Sequence, residues 1–427
     1  MGSRAGQMQR GKMKKNRAVV ISGLGVLSPI GLTIPELASS LSIARSGIGL
    51  VDAAPLLKSF PAGVIPVSFS SCFTRLELAS LDRCQHLAIL AARQAITDAG
   101  LDDFTDYGPR AGIYYGNVNG GLETEQLGYQ RILSKGAQAM RPFAGMAIMR
   151  NGGAAQISIR HQVTGPVITH GSACSASGVA IGEAVRAIRD GYLDVVIAGG
   201  AEAPLVASLF GAFEGARALA PADPDDVSRS CKPFSRGRRG VVVGEGAAFL
   251  ILEAEECASR RGAKCYGYMS GYGVAADAYH IGTPRAEGQA AAIRAALADA
   301  GLTPSDIDYL NAHATATTSG DSTECNAIRS VFGTSPESVM VSSTKSVHGH
   351  LLGAASALEL VITVTAMNAS LVPATAHLDE IDPGCALNHI PNKPLLDHPI
   401  ERAMSFSCGF GGTNVALIIS KHREMAG

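Results

Sequence analysis

Cys174 stands in His170-Gly-Ser-Ala-Cys174-Ser-Ala-Ser, where an apolar stretch gives way to an Ala-rich helical stretch through a run of small residues. Small flanks allow a tight turn and let a substrate reach the sulfur. The free N–H groups and positive end of a helix favour thiolate over thiol, which activates a cysteine nucleophile. His313 lies in Asn311-Ala-His-Ala-Thr-Ala-Thr-Thr-Ser-Gly-Asp321, after an apolar run that begins at Ile307, so it marks the carboxyl end of a strand. Active sites of α/β sheets gather at such ends. The hydroxyls of Thr315 and Thr317 follow it and suit a polar tunnel, while His350 starts a second helix five residues after Lys345. Two neutral histidines that donate to one oxygen would stabilise an enolate. Near the carboxyl terminus, Cys408-Gly-Phe-Gly-Gly-Thr-Asn414 is a glycine-rich turn before a last strand, and gains meaning only beside the other motifs.

Positioning these groups requires buried strands and covering helices. Ala18–Leu27, Ala111–Gly116, Val195–Ala201, Ala247–Leu252 and Ala416–Ser420 are short apolar runs without polar alternation, as in strands buried on both faces. Helical stretches lie between them at Asp82–Ala99, Ala176–Arg189, Gln289–Ala300 and Ala354–Met367. The alternation predicts parallel or mixed sheets in an α/β fold. Ala92-Arg-Gln-Ala-Ile-Thr-Asp-Ala-Gly-Leu101 echoes Ile293-Arg-Ala-Ala-Leu-Ala-Asp-Ala-Gly-Leu302, each a helix closed by glycine. The chain thus reads as duplicated, with two equivalent helix starts, at Cys174 and near His350, converging on one site.

Bulk properties agree. The 427 residues are 46% hydrophobic and 17% charged with 49 glycines, a balance for a folded α/β core. A net charge of −1 gives no field to recruit nucleic acid. No stretch reads as a membrane span, since the longest uncharged one, Leu360–Leu378, is broken by Asn368, Ser370 and Pro373. Nine scattered cysteines without a CxxC pair or a metal-ligand spacing indicate a reduced, cytoplasmic protein, and apart from Cys174 they read as small buried apolar residues. Residues 1–16, rich in Arg and Lys, read as a disordered leader.

Ser-Ala-Cys-Ser, Ala-His-x-Thr-x-Thr, Thr-Lys-Ser-x-x-Gly-His and Gly-Phe-Gly-Gly-Thr-Asn, in this order, resemble the elongating β-ketoacyl-[acyl-carrier-protein] synthases, condensing enzymes of the thiolase superfamily. The resemblance covers about residues 17–420 and extends to Ser22-Gly-Leu-Gly-Val-Leu-Ser-Pro-Ile-Gly31, Ala198-Gly-Gly-Ala-Glu202, Lys232-Pro-Phe234 and Val243-Gly-Glu-Gly-Ala247. It implies a thiolase-like duplicated five-layer αβαβα fold, with an N-terminal half over 17–262 and a C-terminal half over 263–427. It also implies a cytoplasmic homodimer, or a heterodimer with a related subunit, working on acyl- and malonyl-loaded acyl carrier protein in fatty-acid or type II polyketide or polyene synthesis. No cofactor or metal is implied, because phosphopantetheine arrives on the carrier protein.

The implied roles follow residue by residue. Cys174 carries the acyl group, with the backbone N–H groups of Cys174 and Phe410 as oxyanion hole and Phe410 as gate. His313 and His350 bind the malonyl thioester and support loss of CO2. Lys345, with Asp321, Glu324 and Glu359, holds the histidines and the gate, and Thr315 and Thr317 contact the pantetheine arm. Cys408 replaces a usual phenylalanine and Asn119 a usual apolar residue, so both are expected in an altered acyl pocket. Arg239 stands where an acidic residue is usual, and Ala314 replaces a glycine. The helix start after residue 70, the family's basic carrier dock, keeps only Arg75, with Arg217 as another candidate contact. A non-catalytic chain-length-factor-like subunit would lack the nucleophile, and a coenzyme A thiolase would carry a second cysteine where Gly-Phe-Gly-Gly stands.

Overall fold

The structure, a computed structural model, describes residues 17–335 and 339–424; the expected leader over 1–16 lies outside them. The strand Val19–Leu27 is buried along its whole length, as an apolar run without alternation requires. The helix Arg83–Asp98 lies directly on it, started by a capping box between Asp82 and Gln85. Contact is so close that a Cβ on Gly23 would sit 2.2 Å from the Ala95 carbonyl, and one on Gly25 2.0 Å from that of Ala91. The same device recurs in the strand Gly267–Ala276 against the helix Ala286–Ala300. There a Cβ on Gly271 would meet the Ala296 carbonyl at 2.4 Å, and one on Gly273 that of Ala292 at 2.1 Å.

The duplication extends to the whole topology. In the N-terminal half the strand order is Val19–Leu27, Gly246–Ala254, Val195–Glu202, Ala111–Gly116, Val167–His170. In the C-terminal half it is Gly267–Ala276, Thr413–Ser420, Arg402–Gly409, Tyr309–Asn311, Met340–Ser342, and the first strands of the two halves pair to give a ten-stranded sheet. Each half is mixed, with parallel pairing toward its outer edge and antiparallel pairing toward the join.

Two helices, Ala176–Arg189 and Ala355–Asn368, lie between the two halves of the sheet and touch both. Ala355–Asn368 is mostly apolar and buried all round, every residue from Ala355 to Met367 being shut away from solvent, as a central layer demands. The helices Arg83–Asp98 and Gly152–His161 cover one outer face, and Ala286–Ala300 and Thr318–Phe332 the other. The result is the five-layer αβαβα arrangement of the thiolase-like fold. Its two central helices begin side by side: Ser356 Oγ donates to the Cys174 carbonyl at 3.2 Å, and the Ala357 N–H donates to Ser177 Oγ at 3.0 Å.

Candidate active site

Cys174 sits in the one-turn 3-10 segment Ala173–Ser175 between the strand Val167–His170 and the central helix. The turn is closed by Ser175 Oγ donating to the Ser172 carbonyl at 2.8 Å, and Ala173 takes a left-handed φ of 49°. The strand Arg402–Gly409 ends against this turn, where a Cβ on Gly409 would lie 2.7 Å from the Ser172 carbonyl. That approach delivers the Phe410 N–H to the Cys174 sulfur. Burial pushes the Cys174 thiol up to about 11, against the pull of the Lys345 charge and the Phe410 N–H. Burial thus opposes the thiolate that the helix start, the Lys345 charge and the Phe410 N–H favour.

His313 lies two residues beyond the strand Tyr309–Asn311, and His350 lies between the short helix Lys345–His348 and the turn Leu352–Ala354 that opens the second central helix. Their rings meet edge to face with centroids 5.2 Å apart. Burial, then the nearby Lys345 charge, hold both imidazoles well below the usual histidine range, so both are neutral at pH 7. Lys345 Nζ lies 3.4 Å from His313 Nδ1 and pairs with Glu359. An ammonium can only donate, so Nδ1 accepts and His313 carries its proton on Nε2. Neither ring nitrogen of His350 has a hydrogen-bond partner among the described residues, which leaves the ring free to serve a substrate oxygen.

The expected supports divide. Glu324 accepts the His313 and Ala314 N–H groups, each at 2.7 Å, and so fixes the backbone that carries the histidine. Glu359 joins Lys345 to Ser407 Oγ, 3.2 Å away on the strand leading to Phe410. Among the described residues, no hydrogen bond or ion pair joins Asp321 to either histidine or to Phe410. Asp321 accepts the Phe234 N–H at 2.9 Å and lies 3.9 Å from the Arg238 guanidinium, so it anchors the Lys232–Phe234 segment instead.

A cavity of about 650 Å³ opens over Cys174, His313 and His350. Thr315 and Thr317 line it with their hydroxyls 3.3 Å apart, and Cys408 lines it as well. Phe410 stands exposed beside Phe213, ring centroids 6.4 Å apart. Asn119, expected in an acyl pocket, does not line this cavity; its amide donates to the buried Glu202 at 3.1 Å. Burial raises Glu202 to about 7, and Asn119 helps hold it ionised. The sequence reading missed His280, which lines the cavity from a Gly/Pro-rich loop and whose Nδ1 accepts the Gly282 and Thr283 N–H groups. The histidine in Tyr279-His-Ile-Gly-Thr-Pro284, just past a strand end, was the available signal. It missed Arg238 too, which donates to the Thr317 and Thr318 carbonyls and pairs with Asp382. Among the described residues, no group of three or more His, Cys, Asp or Glu could hold a metal ion, and no helix is long and apolar enough to cross a membrane.

A cysteine at a central helix start, facing two neutral histidines across one cavity of a duplicated five-layer fold, defines a thiolase-like acyl-transfer enzyme. The β-ketoacyl synthase N-terminal domain model matches residues 16–258, and the C-terminal domain model matches residues 266–379. The chain is 40% identical to nodulation protein E of Rhizobium meliloti (strain 1021) over 404 residues, 94% of this chain and 98% of that protein. It is 37% identical to 3-oxoacyl-[acyl-carrier-protein] synthase 2 of Staphylococcus aureus (strain COL) over 417 residues, 96% and 99% of the two chains. The solved ishigamide ketosynthase/chain length factor superposes with a TM-score of 0.88 at 32% identity, covering 96% of this chain and all of that one. The chain belongs to the β-ketoacyl synthase family and is an acyltransferase of the condensing type.

Proposed function

We propose that this chain is an elongating 3-oxoacyl-[acyl-carrier-protein] synthase in which Cys174 is the acyl carrier and His313 and His350 the decarboxylation pair. The arrangement of a buried thiol under the Phe410 N–H, with two neutral imidazoles on the same cavity, is the observation that carries this reading. The Cys174 sulfur attacks the carbonyl of an acyl thioester, its proton leaves with the pantetheine thiol, and an acyl-Cys174 thioester remains. The N–H groups of Cys174 and Phe410 take the developing oxyanion. A malonyl thioester then binds with its carbonyl oxygen toward His313 Nε2–H and His350. Loss of CO2 leaves the electron pair as an enolate, whose carbon attacks the acyl-Cys174 carbonyl. Collapse of that adduct expels the Cys174 thiolate, which takes up a proton, and releases the β-ketoacyl product on the carrier.

Fixed donors in a dry site hold that enolate better than water does, because they need no reorganisation as charge develops. Lys345 keeps the His313 proton on Nε2, while Glu324 and Glu359 keep the strand end and the lysine in place. Thr315 and Thr317 face the pantetheine arm, and Cys408 shapes the cavity wall. The retained Cys174 separates the chain from chain-length-factor-like subunits.

The chain works in the cytoplasm, with nine free cysteines, and needs no cofactor beyond the carrier-borne arm. It pairs with a second copy or a related subunit through the edge strand Val167–His170, whose Val167 and Ile168 are partly exposed apolar residues on the open edge of the sheet. The S. aureus relative's name and the ketosynthase/chain length factor structure support carrier protein and subunit pairing respectively.

Intact-mass spectrometry of the wild type and Cys174→Ala, incubated with a panel of acyl-carrier-protein thioesters and then malonyl-carrier protein, tests the reading. The wild type alone gains an acyl mass, which malonyl-carrier protein then discharges as a β-ketoacyl product. Absence of loading on Cys174 from every donor would refute it.

A further inference from the structure

Arg239 lies exposed on the wall of the active-site cavity. Its neighbours in Arg236-Gly-Arg-Arg-Gly240 are paired, Arg236 with Glu380 and Arg238 with Asp382. No carboxylate pairs with Arg239 among the described residues, and none pairs with Arg217, the other exposed arginine on the same cavity. The backbone brings the two together. The Val241 N–H donates to the Ala218 carbonyl at 2.8 Å, so the segments carrying Arg217 and Arg239 run side by side. The Gly240 N–H donates to the Ala316 carbonyl at 2.9 Å, which sets Arg239 next to the Thr315–Thr317 wall.

The helix Thr318–Phe332 starts at the same rim. Thr317 occupies its N-cap position with no side chain capping the first turn, and Thr318, Ser319 and Gly320 line the cavity. Two unpaired guanidinium groups and an uncapped start of a 15-residue helix therefore share one mouth. Guanidinium forks and free helix N–H groups both select anionic oxygens, phosphates above all.

We propose that Arg217, Arg239 and the first turn of helix Thr318–Phe332 form an anion site that grips the phosphate of the pantetheine arm as it enters the cavity. The inference rests on the carrier-dependent synthase reading above. With the thioester at His313 and His350 and the arm along Thr315 and Thr317, the phosphate at the far end of the arm falls at the mouth. Recognition of the carrier then falls on the arm itself, at the two arginines of the mouth.

The test compares Cys174 acylation by two small thioesters that differ only in the phosphate, acyl-pantetheine and acyl-4′-phosphopantetheine, with acyl-carrier protein as a third donor. The measured quantity is the ratio of kcat/KM for the phosphorylated over the unphosphorylated donor. Taken within one variant, it cancels any general loss of active protein. The wild type should favour the phosphorylated donor on the order of tenfold, through KM, as charge-assisted hydrogen bonds allow. The ratio should fall toward one in Arg217→Gln/Arg239→Gln and below one in Arg239→Asp. A wild-type ratio near one, or a ratio the variants leave unchanged, overturns the site while the synthase reading stands. Variants that weaken acyl-carrier protein alone, with the small-donor ratio intact, overturn it as well and assign the arginines to the carrier's acidic surface. If no donor acylates Cys174, the synthase reading itself falls and takes this site with it.

Discussion

Lys345 Nζ lies 3.4 Å from His313 Nδ1 and is ion-paired with Glu359, all of it shut away from solvent. One cation thereby sets the tautomer of a proposed catalytic imidazole while its own charge is balanced behind it. Removing it in Lys345→Ala leaves Glu359 as an uncompensated buried carboxylate, a loss of roughly 3 to 5 kcal/mol in stability. The double variant Lys345→Met/Glu359→Gln should recover much of the melting temperature but not the condensation rate. Full activity in that double variant would show that the tautomer does not need the lysine.

The histidines are expected to act on malonyl decarboxylation and not on acyl loading. His313→Ala and His350→Ala should each lower release of CO2 from malonyl-carrier protein by on the order of a hundredfold or more, the usual loss for one oxyanion donor. Acyl loading of Cys174, followed by mass, should survive both changes. Because burial holds both imidazoles well below 6.5, the decarboxylation rate should also show no histidine titration between roughly pH 6 and pH 8. An inflection in that window, or loss of loading with decarboxylation intact, would reverse the assignment.

Cys174 rests as a thiol, with its titration pushed up from 9.0 to about 11 by burial. The thiolate fraction therefore climbs steadily through neutral pH. Alkylation of Cys174 by iodoacetamide, read on its own peptide to separate it from the exposed Cys72 and Cys265, should speed up about tenfold per pH unit across the neutral range. A plateau beginning below pH 8 would mean that the helix start and the Phe410 N–H overcome burial after all.

Local features made the nucleophile legible. The small residues around Cys174 are those a strand-to-helix turn needs, and the matching Ala-Gly-Leu helix ends were real, Gly100 and Gly301 both having a φ of 68°. The helix Ala176–Arg189 falls where its apolar pattern placed it. The strand Gly267–Ala276 shows no plain strand pattern in sequence, since Gly267, Gly271 and Gly273 interrupt its apolar run, whereas Gly271 and Gly273 are demanded by a helix pressed onto the strand. Strands such as Tyr309–Asn311 and Met340–Ser342 are too short to show any period. Long-range pairings were equally out of reach: Asp321 bonds a residue 87 positions away at Phe234, and Asn119 one 83 positions away at Glu202. The twin of the nucleophile turn also emerged only in three dimensions. Leu352 repeats the left-handed φ of Ala173, 46° against 49°, and Gly353 occupies the place that Cys174 holds in the other half.

Glu324 provides a stability test of the site's framework. Burial raises its carboxyl from 4.5 to about 8 although it accepts the His313 and Ala314 N–H groups. A carboxyl with a raised folded value binds its proton more tightly folded than unfolded. The native state therefore loses stability as pH climbs from 4.5 to about 8, and the loss is complete above that window. Each pH unit of the window costs up to about 1.4 kcal/mol. Glu324→Gln has no such proton, but offers one acceptor oxygen to two N–H groups, a fixed cost of about 1 to 3 kcal/mol. Melting curves should show the wild type losing ground to the variant steadily from pH 5 to pH 8, far enough to cross below it, with little relative change beyond. A gap that stays constant from pH 5 to pH 9 would mean that Glu324 is ionised throughout, its two N–H bonds outweighing burial.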